Sequence, residues 1–402
     1  MATAFTDVEL LLQDDTWQTL STHTPDENGV ISLVTSDQFI NYTLVAKDQK
    51  GSDAEGLNVV SFYQASSDTP SHYQAQFDSL VDNTTCECVT QNIELSHRPF
   101  ASQTSVTSSL AYNSWQMADE EITLFEGVNV CRAIDGSWPL HSFSVSGFDS
   151  NDKAIAVAGF IDDFTSNEDN TWQVSAFDVA DSVDLPSHQE FSTNQIIGNT
   201  THFSELVAED VASLLVFDTH SYISEAVYQS QASVTFTESN SIFGSTVIKT
   251  HHQVISEIAQ ESFAVKASEK KPTIDEQAFS EIKANGNYNY TEVSGYPMAI
   301  ITFEFTAYDP GTQLLMPAQW TFYGPKSGTL AISGGLTGYE DIIDIETDKK
   351  STDVYLIKSS VTNNYQDYIS YYQAGNSVSQ TLDTSDEFIR NIHRVEIGIK
   401  LN

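Results

Sequence analysis

The chain is predicted to be mostly β, a tandem array of antiparallel β-sandwich domains with a few short helices in its C-terminal part. Two observations carry this. Oily and polar residues alternate at period two in 29–36 (GVISLVTS), 41–48 (NYTLVAKD), 141–148 (HSFSVSGF), 301–308 (ITFEFTAY) and 393–400 (HRVEIGIK). Such alternation marks half-buried antiparallel strands. These segments are also short, rich in β-branched and aromatic residues, and bounded by Gly, Asn, Asp or Pro, as strands between turns are. Apolar residues make up 40% of the 402, enough to build cores and to exclude global disorder.

Length sets the domain count. At roughly 150 residues per domain, the chain divides into two or three units. Strand counting places boundaries near 82 and 190, giving sandwiches at 1–82 and 83–190 and a larger β-rich domain at 191–402. Three segments depart from period two. In 203–218, Phe203, Leu206, Val207, Val211, Leu214 and Leu215 form one helical stripe. In 247–260, Val247, Ile248, Val254, Ile255 and Ile258 repeat it, although the β-branched content makes a strand nearly as good a reading. In 272–286, Thr273 and Glu276 form a capping box and Asn285-Gly286 an ending, so a helix is expected.

Charge is the strongest compositional signal. Seventeen Lys plus Arg against 56 Asp plus Glu give a net charge of −39. Such a surface repels phosphate backbones and anionic headgroups, so nucleic acid is not an expected partner. It suits solubility in a salty or extracellular medium. No run of eighteen apolar residues occurs, so no membrane span is expected. The start, MATAFTDVELLLQDD, lacks the basic region and long apolar core of a signal peptide. A chain with its export signal or lipid anchor trimmed away would begin the same way.

Near the N-terminus, Thr24, Asp26 and Gly29 lead into Ile31 and Leu33, and then Tyr42, Thr43, Leu44 and Ala46. Asp26, Asn28 and Gly29 suit a hairpin turn, with Gly at positive φ and the Asp and Asn side chains bonding nearby backbone. The segment resembles prealbumin-like or carboxypeptidase-regulatory-like β-sandwich modules, whose turn also recurs in immunoglobulin-like domains. The resemblance implies a non-catalytic structural or binding module common in exported proteins, and it covers under a fifth of the chain.

The chain has three cysteines, Cys86, Cys88 and Cys131. Residues i and i+2 of a strand share a face, so Cys86 and Cys88 would point the same way. Three thiols without further ligands fall short of a zinc site, and a thioredoxin-like pair needs two residues between its cysteines. That leaves a bridge across an intersheet gap from Cys88, or alternatively Cys86, to Cys131, or else three free thiols. A bridge would persist only outside a reducing cytosol. Export to the periplasm, cell surface or extracellular space is therefore the expected localisation.

Calcium is the one cofactor the acidic loops would suit. Asp149, Asn151 and Asp152 sit in one predicted loop and Asp162, Asp163, Glu168 and Asp169 in another, both dense in oxygen donors. The first begins like an EF-hand loop, but Ala154 and Phe160 stand where Gly and Glu would be required. His251 and His252 are adjacent and face opposite ways, and no His-Glu-x-x-His occurs. Neither a nucleophile elbow nor a phosphate-binding or dinucleotide fingerprint is present. The glycines of 333–338 (SGGLTG) have no lysine after them and read as a turn.

Aromatic density gives the last lead. Tyr365, Tyr368, Tyr371 and Tyr372 fall within eight residues, and Tyr323 faces away from Trp320 and Phe322 by alternation. Tyrosines beside Asn, Gln and Asp build sugar-binding and protein-binding faces, because each ring offers apolar area plus a hydroxyl. The sequence thus reads as an exported binding or scaffold protein without catalytic residues, with a protein or carbohydrate partner. Two alternatives stay open: a carbohydrate-active hydrolase with paired carboxylates in its last 210 residues, and a calcium-stiffened adhesin segment.

Overall fold

Strand follows strand along the chain, joined by turns in which short polar side chains tie down the backbone. The computed structural model describes residues 6–49, 55–73, 86–134, 136–165, 170–176, 181–185, 187–197, 200–217, 226–240, 244–274, 286–309, 313–330, 336, 338–340, 342, 351–375 and 386–400.

The first strands are β1 (Val8–Gln13), β2 (Thr19–His23), β3 (Phe39–Gln49) and β4 (Glu55–Ser66). The middle of the chain supplies β5 (Cys86–Ser96), β6 (Ser102–Ser108), β7 (Ser114–Asp119), β8 (Ile122–Ala133), β9 (His141–Phe148), β10 (Ala154–Ile161), β11 (Thr171–Ser175) and β12 (Asp181–Asp184). Next come β13 (Phe191–Ile197), β14 (Thr200–Val207), β15 (Ser213–Val216), β16 (Val227–Asn240), β17 (Gly244–Ser256) and helix α1 (Ala259–Ser262). The last elements are β18 (Asn287–Asn289), β19 (Met298–Asp309), β20 (Leu314–Pro325), β21 (Ser327–Thr329), β22 (Ser351–Ser359), helix α2 (Tyr365–Gln373) and β23 (Asn391–Lys400).

Both ends of the chain share one sheet. Its twelve strands run β14-β13-β16-β17-β23-β22-β19-β20-β4-β3-β1-β2, and the N-terminal strands join through a parallel pairing of β4 with β20. This corrects the expected partition, because residues before 82 complete a sheet begun after 190 instead of forming a sandwich of their own. The intervening strands make a second unit, a four-stranded sheet β11-β5-β8-β7 against a three-stranded sheet β10-β9-β6. Its core includes Ile93, Phe125, Phe143, Val145 and Val157. The strands expected at 41–48, 141–148, 301–308 and 393–400 are β3, β9, β19 and β23, and the mostly β class holds.

The large sheet is covered on both faces. One face buries Trp320, Phe303, Phe305 and Ile397. The other buries Leu44, Phe62 and Ile300 beneath Tyr368, Ile369 and Tyr372 of α2. Asn364 caps that helix, its side chain accepting from Gln366 N, which satisfies an otherwise orphaned donor of the first turn.

Two expectations fail locally, the first because tertiary pairing overrides local pattern, and a third segment, open between helix and strand, is decided. Residues 203–217 do not form a helix; they supply most of β14 and all of β15, and residue 218 lies outside the described residues. The β14 ladder on β13 buries Val207 opposite Phe191 and leaves Leu206 67% exposed. Segment 29–36 is not in a sheet, although its Ile31 and Leu33 pack on the core beneath α2. The 247–260 segment resolves as the strand that its β-branched residues favour, β17, followed by α1. The helix expected in 272–286 lies for the most part outside the described residues, but Gly286 takes the expected positive φ of 69°.

Trp17 ties the N-terminal strands to the opposite end of the chain. Asp14 Oδ1 accepts from Thr16 N and Gln18 N, closing a tight turn in which Trp17 adopts φ 65°. Its ring packs edge-on to Phe322 at 5.4 Å, and its Nε1 donates to the Thr329 carbonyl at 2.8 Å.

Candidate functional site

The three-stranded sheet is covered on both faces, and alternation divides its side chains accordingly. Along β9, Phe143 and Val145 enter the core of the middle unit. Ser142, Ser144 and Ser146 therefore point outward, toward β13 and β14 of the large sheet. The paired strands supply matching small residues at the same face: Ser105 and Thr107 on β6, Ala156 and Ala158 on β10.

At one end this outward face is sealed. Phe160, Phe203, Leu215 and Phe217 pack against Ala156 and Ala158. His202 is buried beside them, its ring 5.7 Å from Phe160. Ser142 Oγ donates to the His202 carbonyl at 3.1 Å. With its only proton committed, it accepts from His202 Nδ1 at 3.0 Å. His141, buried on the other side of β9, bonds Ser109 through Nδ1, and its Nε2 has no hydrogen-bond partner. Burial pulls both imidazoles down to about 4, His202 with a further contribution from His141. Both are neutral at pH 7.

At the other end the layers part and leave a cavity of about 210 Å³. One wall is a ladder of hydroxyls in cross-strand pairs, Ser105 with Ser146 at 2.6 Å and Thr107 with Ser144 at 2.5 Å. The facing wall combines Phe203, Leu214 and Leu215 with Thr193, Gln195 and Glu205. That wall is rigid: Ser262 Oγ donates to Ser230 Oγ, which donates to Thr193 Oγ1, and Gln195 Nε2 donates to the Phe217 carbonyl. Glu205 is the one carboxylate lining the cavity. Water reaches much of its side chain, yet the surrounding protein desolvates it enough to raise its pKa.

A second group of titratable residues lies where β17, β23 and β22 run side by side. Glu396 receives His251 Nε2 at 3.2 Å, with Lys249 Nζ at 3.6 Å and Arg394 at 4.0 Å. The His251 hydrogen bond, followed by the two cations, holds Glu396 below its ordinary pKa against the opposing effect of burial. On β22, Asp353 is pushed the other way, by burial first and then by Glu304 and Glu396.

The expected sites fall as follows. Cys88 and Cys131 form the disulfide, with a geometry different from the expected one: they oppose each other on adjacent strands β5 and β8 of one sheet. No intersheet gap is crossed. Cys86 pairs with Ala133 in the ladder, and Cys131 is taken up by Cys88.

The acidic loops do not converge. Asp149, Asn151 and Asp152 lie in the turn before β10, and Asp162 and Asp163 follow its end. The eight residues of β10, at about 3.3 Å per residue, hold the two loops roughly 23 Å apart, too far to share an ion. Each is instead closed on itself, Asp149 Oδ1 accepting from Asn151 N and Lys153 N, and Asp163 Oδ1 from Thr165 N. Glu168 and Asp169 lie outside the described residues. Among those described, no group of His, Cys, Asp and Glu could hold a metal ion, and no helix is long and apolar enough to cross a membrane.

The tyrosines do converge, but as core. Tyr365, Tyr368, Tyr371 and Tyr372 belong to α2, whose helical spacing turns Tyr368 and Tyr372 inward and buries both. Tyr372 packs 5.2 Å from Tyr323, which stacks on Phe62 at 4.8 Å, while Tyr371 stacks on Phe388 at 4.2 Å. Tyr365 Oη donates to the Tyr63 carbonyl. Tyr368 and Tyr372 are therefore withdrawn into the core, and Tyr323, Tyr365 and Tyr371 are half-buried against it. The sequence reading missed the cavity; its only signal was the serine alternation in 141–148, polar on a strand that proves to be covered on both sides.

Compared with protein-family models, curated proteins and solved structures, the chain finds no match.

Proposed function

We propose that the protein is an exported binding protein whose ligand enters the cavity between the three-stranded sheet and β13–β15. The observation that carries this reading is the cavity's composition, a ladder of paired hydroxyls facing a wall of aromatic and aliphatic side chains braced by fixed polar groups. Such mixed linings, with a few fixed polar groups in an apolar wall, are how small-molecule sites gain both affinity and orientation. At about 210 Å³ the cavity falls below the roughly 300–1,000 Å³ of drug-sized sites and suits one small ring or chain. The lone Glu205 carboxylate and the net charge of −39 favour a neutral or cationic ligand. The Cys88–Cys131 bridge supports export, since such bonds persist in oxidising compartments.

A single lining carboxylate supports binding over glycoside hydrolysis at this cavity, because that chemistry takes two acids. The hydrolase alternative finds its own support at Asp353 and Glu396, which are displaced in opposite directions as an acid and a base would be. A thermal-shift screen of small neutral and cationic compounds separates the readings. Compounds that stabilise the protein and lose their effect in Ser146→Leu, which fills the cavity, support binding there. Hits that persist in Ser146→Leu but vanish in Asp353→Asn move the site to the second cluster.

A further inference from the structure

The two sheets of the middle unit do not match. Four strands face three: β11 packs on β10, Phe125 of β8 meets Phe143 of β9 at 5.0 Å, and Gln103 of β6 reaches Thr123 of β8 at 3.0 Å. Beyond β6 the layer stops, while opposite it the other sheet continues into β7. Trp115 and Met117 of β7 pair with Phe125 and Thr123 and so share their inward-facing side. Phe125 and Thr123 are fully buried, whereas Trp115 is 42% and Met117 48% exposed. Among the described residues no strand pairs with the outer edge of β6. A bulge at Thr104 interrupts that edge and leaves Ser105–Ser108 in regular register.

We infer that the outer edge of β6 is a docking site for an extended cationic peptide, which adds a fourth strand over Trp115 and Met117. An unpaired edge ladder offers backbone donors and acceptors only to another strand, and that strand's alternate side chains fall on the exposed β7 residues. The charge selects its chemistry. Beside that edge, Asp119, Glu120 and Glu121 end β7 and lead into β8, and Glu126 lies opposite Ser114 at the other end of β7, against one cation in 97–131, Arg98. Lysines or arginines at the outward positions complement that rim, whereas a second copy of this chain, also at −39, is repelled. The site lies on the β7 side of β6 and is independent of the cavity on the opposite face of the same sheet.

The test is amide hydrogen exchange on the full chain with an acetylated ten-residue peptide of alternating valine and lysine. Added protection confined to 103–108 is expected. It should disappear with a glutamate-for-lysine peptide and with one N-methylated at alternate residues. Met117→Lys, at an exposed position that leaves folding unchanged, should weaken binding by about tenfold or more by setting a charge against the peptide's inward valines in place of an apolar contact. Trp115→Ala should weaken it by loss of apolar contact. No protection at millimolar peptide overturns the inference, as does protection at another sheet edge or undiminished binding in both variants. Light scattering that shows a Trp115-dependent dimer overturns it too, by assigning the edge to a second copy.

Discussion

Cys88 and Cys131 face each other directly across the β5–β8 ladder, with Cα atoms 4.0 Å apart and 43 positions apart in sequence. Both lie on the exposed side of that sheet. Their bond therefore adds little to core packing, and its stabilisation comes mainly from restricting the unfolded chain. For a loop of this length the chain-entropy account gives about 4 kcal/mol. Cys131→Ser should lower stability by about 2–4 kcal/mol in urea unfolding, with the denaturant dependence of the two proteins compared to expose changes in the unfolded state. Thiol labelling under denaturing conditions should find one reactive cysteine before reduction and three after.

Acid should loosen the junction between the two units. Burial depresses His141 and His202 to about 4, below the roughly 6.5 of an unfolded chain. The unfolded state thus binds more protons between those values, and the stability due to the neutral imidazoles is lost as pH falls from about 6.5 through about 4. His393, lowered by burial and then by His252 and Lys358, acts in the same direction. Urea midpoints measured across that window should fall, and the fall should be shallower in His202→Gln.

Glu205 should behave in the opposite sense. Its raised pKa means that ionisation opposes folding above the unfolded value, so stability is lost as pH rises. Glu205→Gln should leave the fold intact and raise the melting temperature slightly at pH 7, an effect within about 0.5 kcal/mol for so open a side chain. Below pH 4 the difference should vanish. Equal gains at pH 4 and pH 7 would show that the substitution acts through packing.

Tyr368 should act as a core residue. It is fully buried, packs edge-on to Phe388 at 4.9 Å, and its hydroxyl donates to the Thr362 carbonyl. Tyr368→Ala should cost about 3–5 kcal/mol, as large-to-small changes of aromatic core residues do. An exposed tyrosine would cost within about 0.5 kcal/mol. Chemical denaturation of the single variant distinguishes the two.

Alternation was enough to determine the class of this protein, because a strand's side chains must divide between two faces wherever the strand lies. Thus β3, β9, β19 and β23 were legible from their own residues, as was the Asp26–Gly29 turn, in which Asp26 Oδ1 accepts from Asn28 N and Val30 N, whereas the choice of Cys88 over Cys86 as partner for Cys131 came from the β5–β8 register. Local pattern carries no information about which distant strand completes a ladder. The parallel seam of β4 on β20, the ladder that makes Phe203–Val207 a strand, and the helix that turns Tyr368 and Tyr372 inward were decided by long-range pairing. So was the cavity. Its serines show only that one side of β9 is polar, and it took the packing of β14 against that side to turn a hydrophilic face into one wall of a cavity.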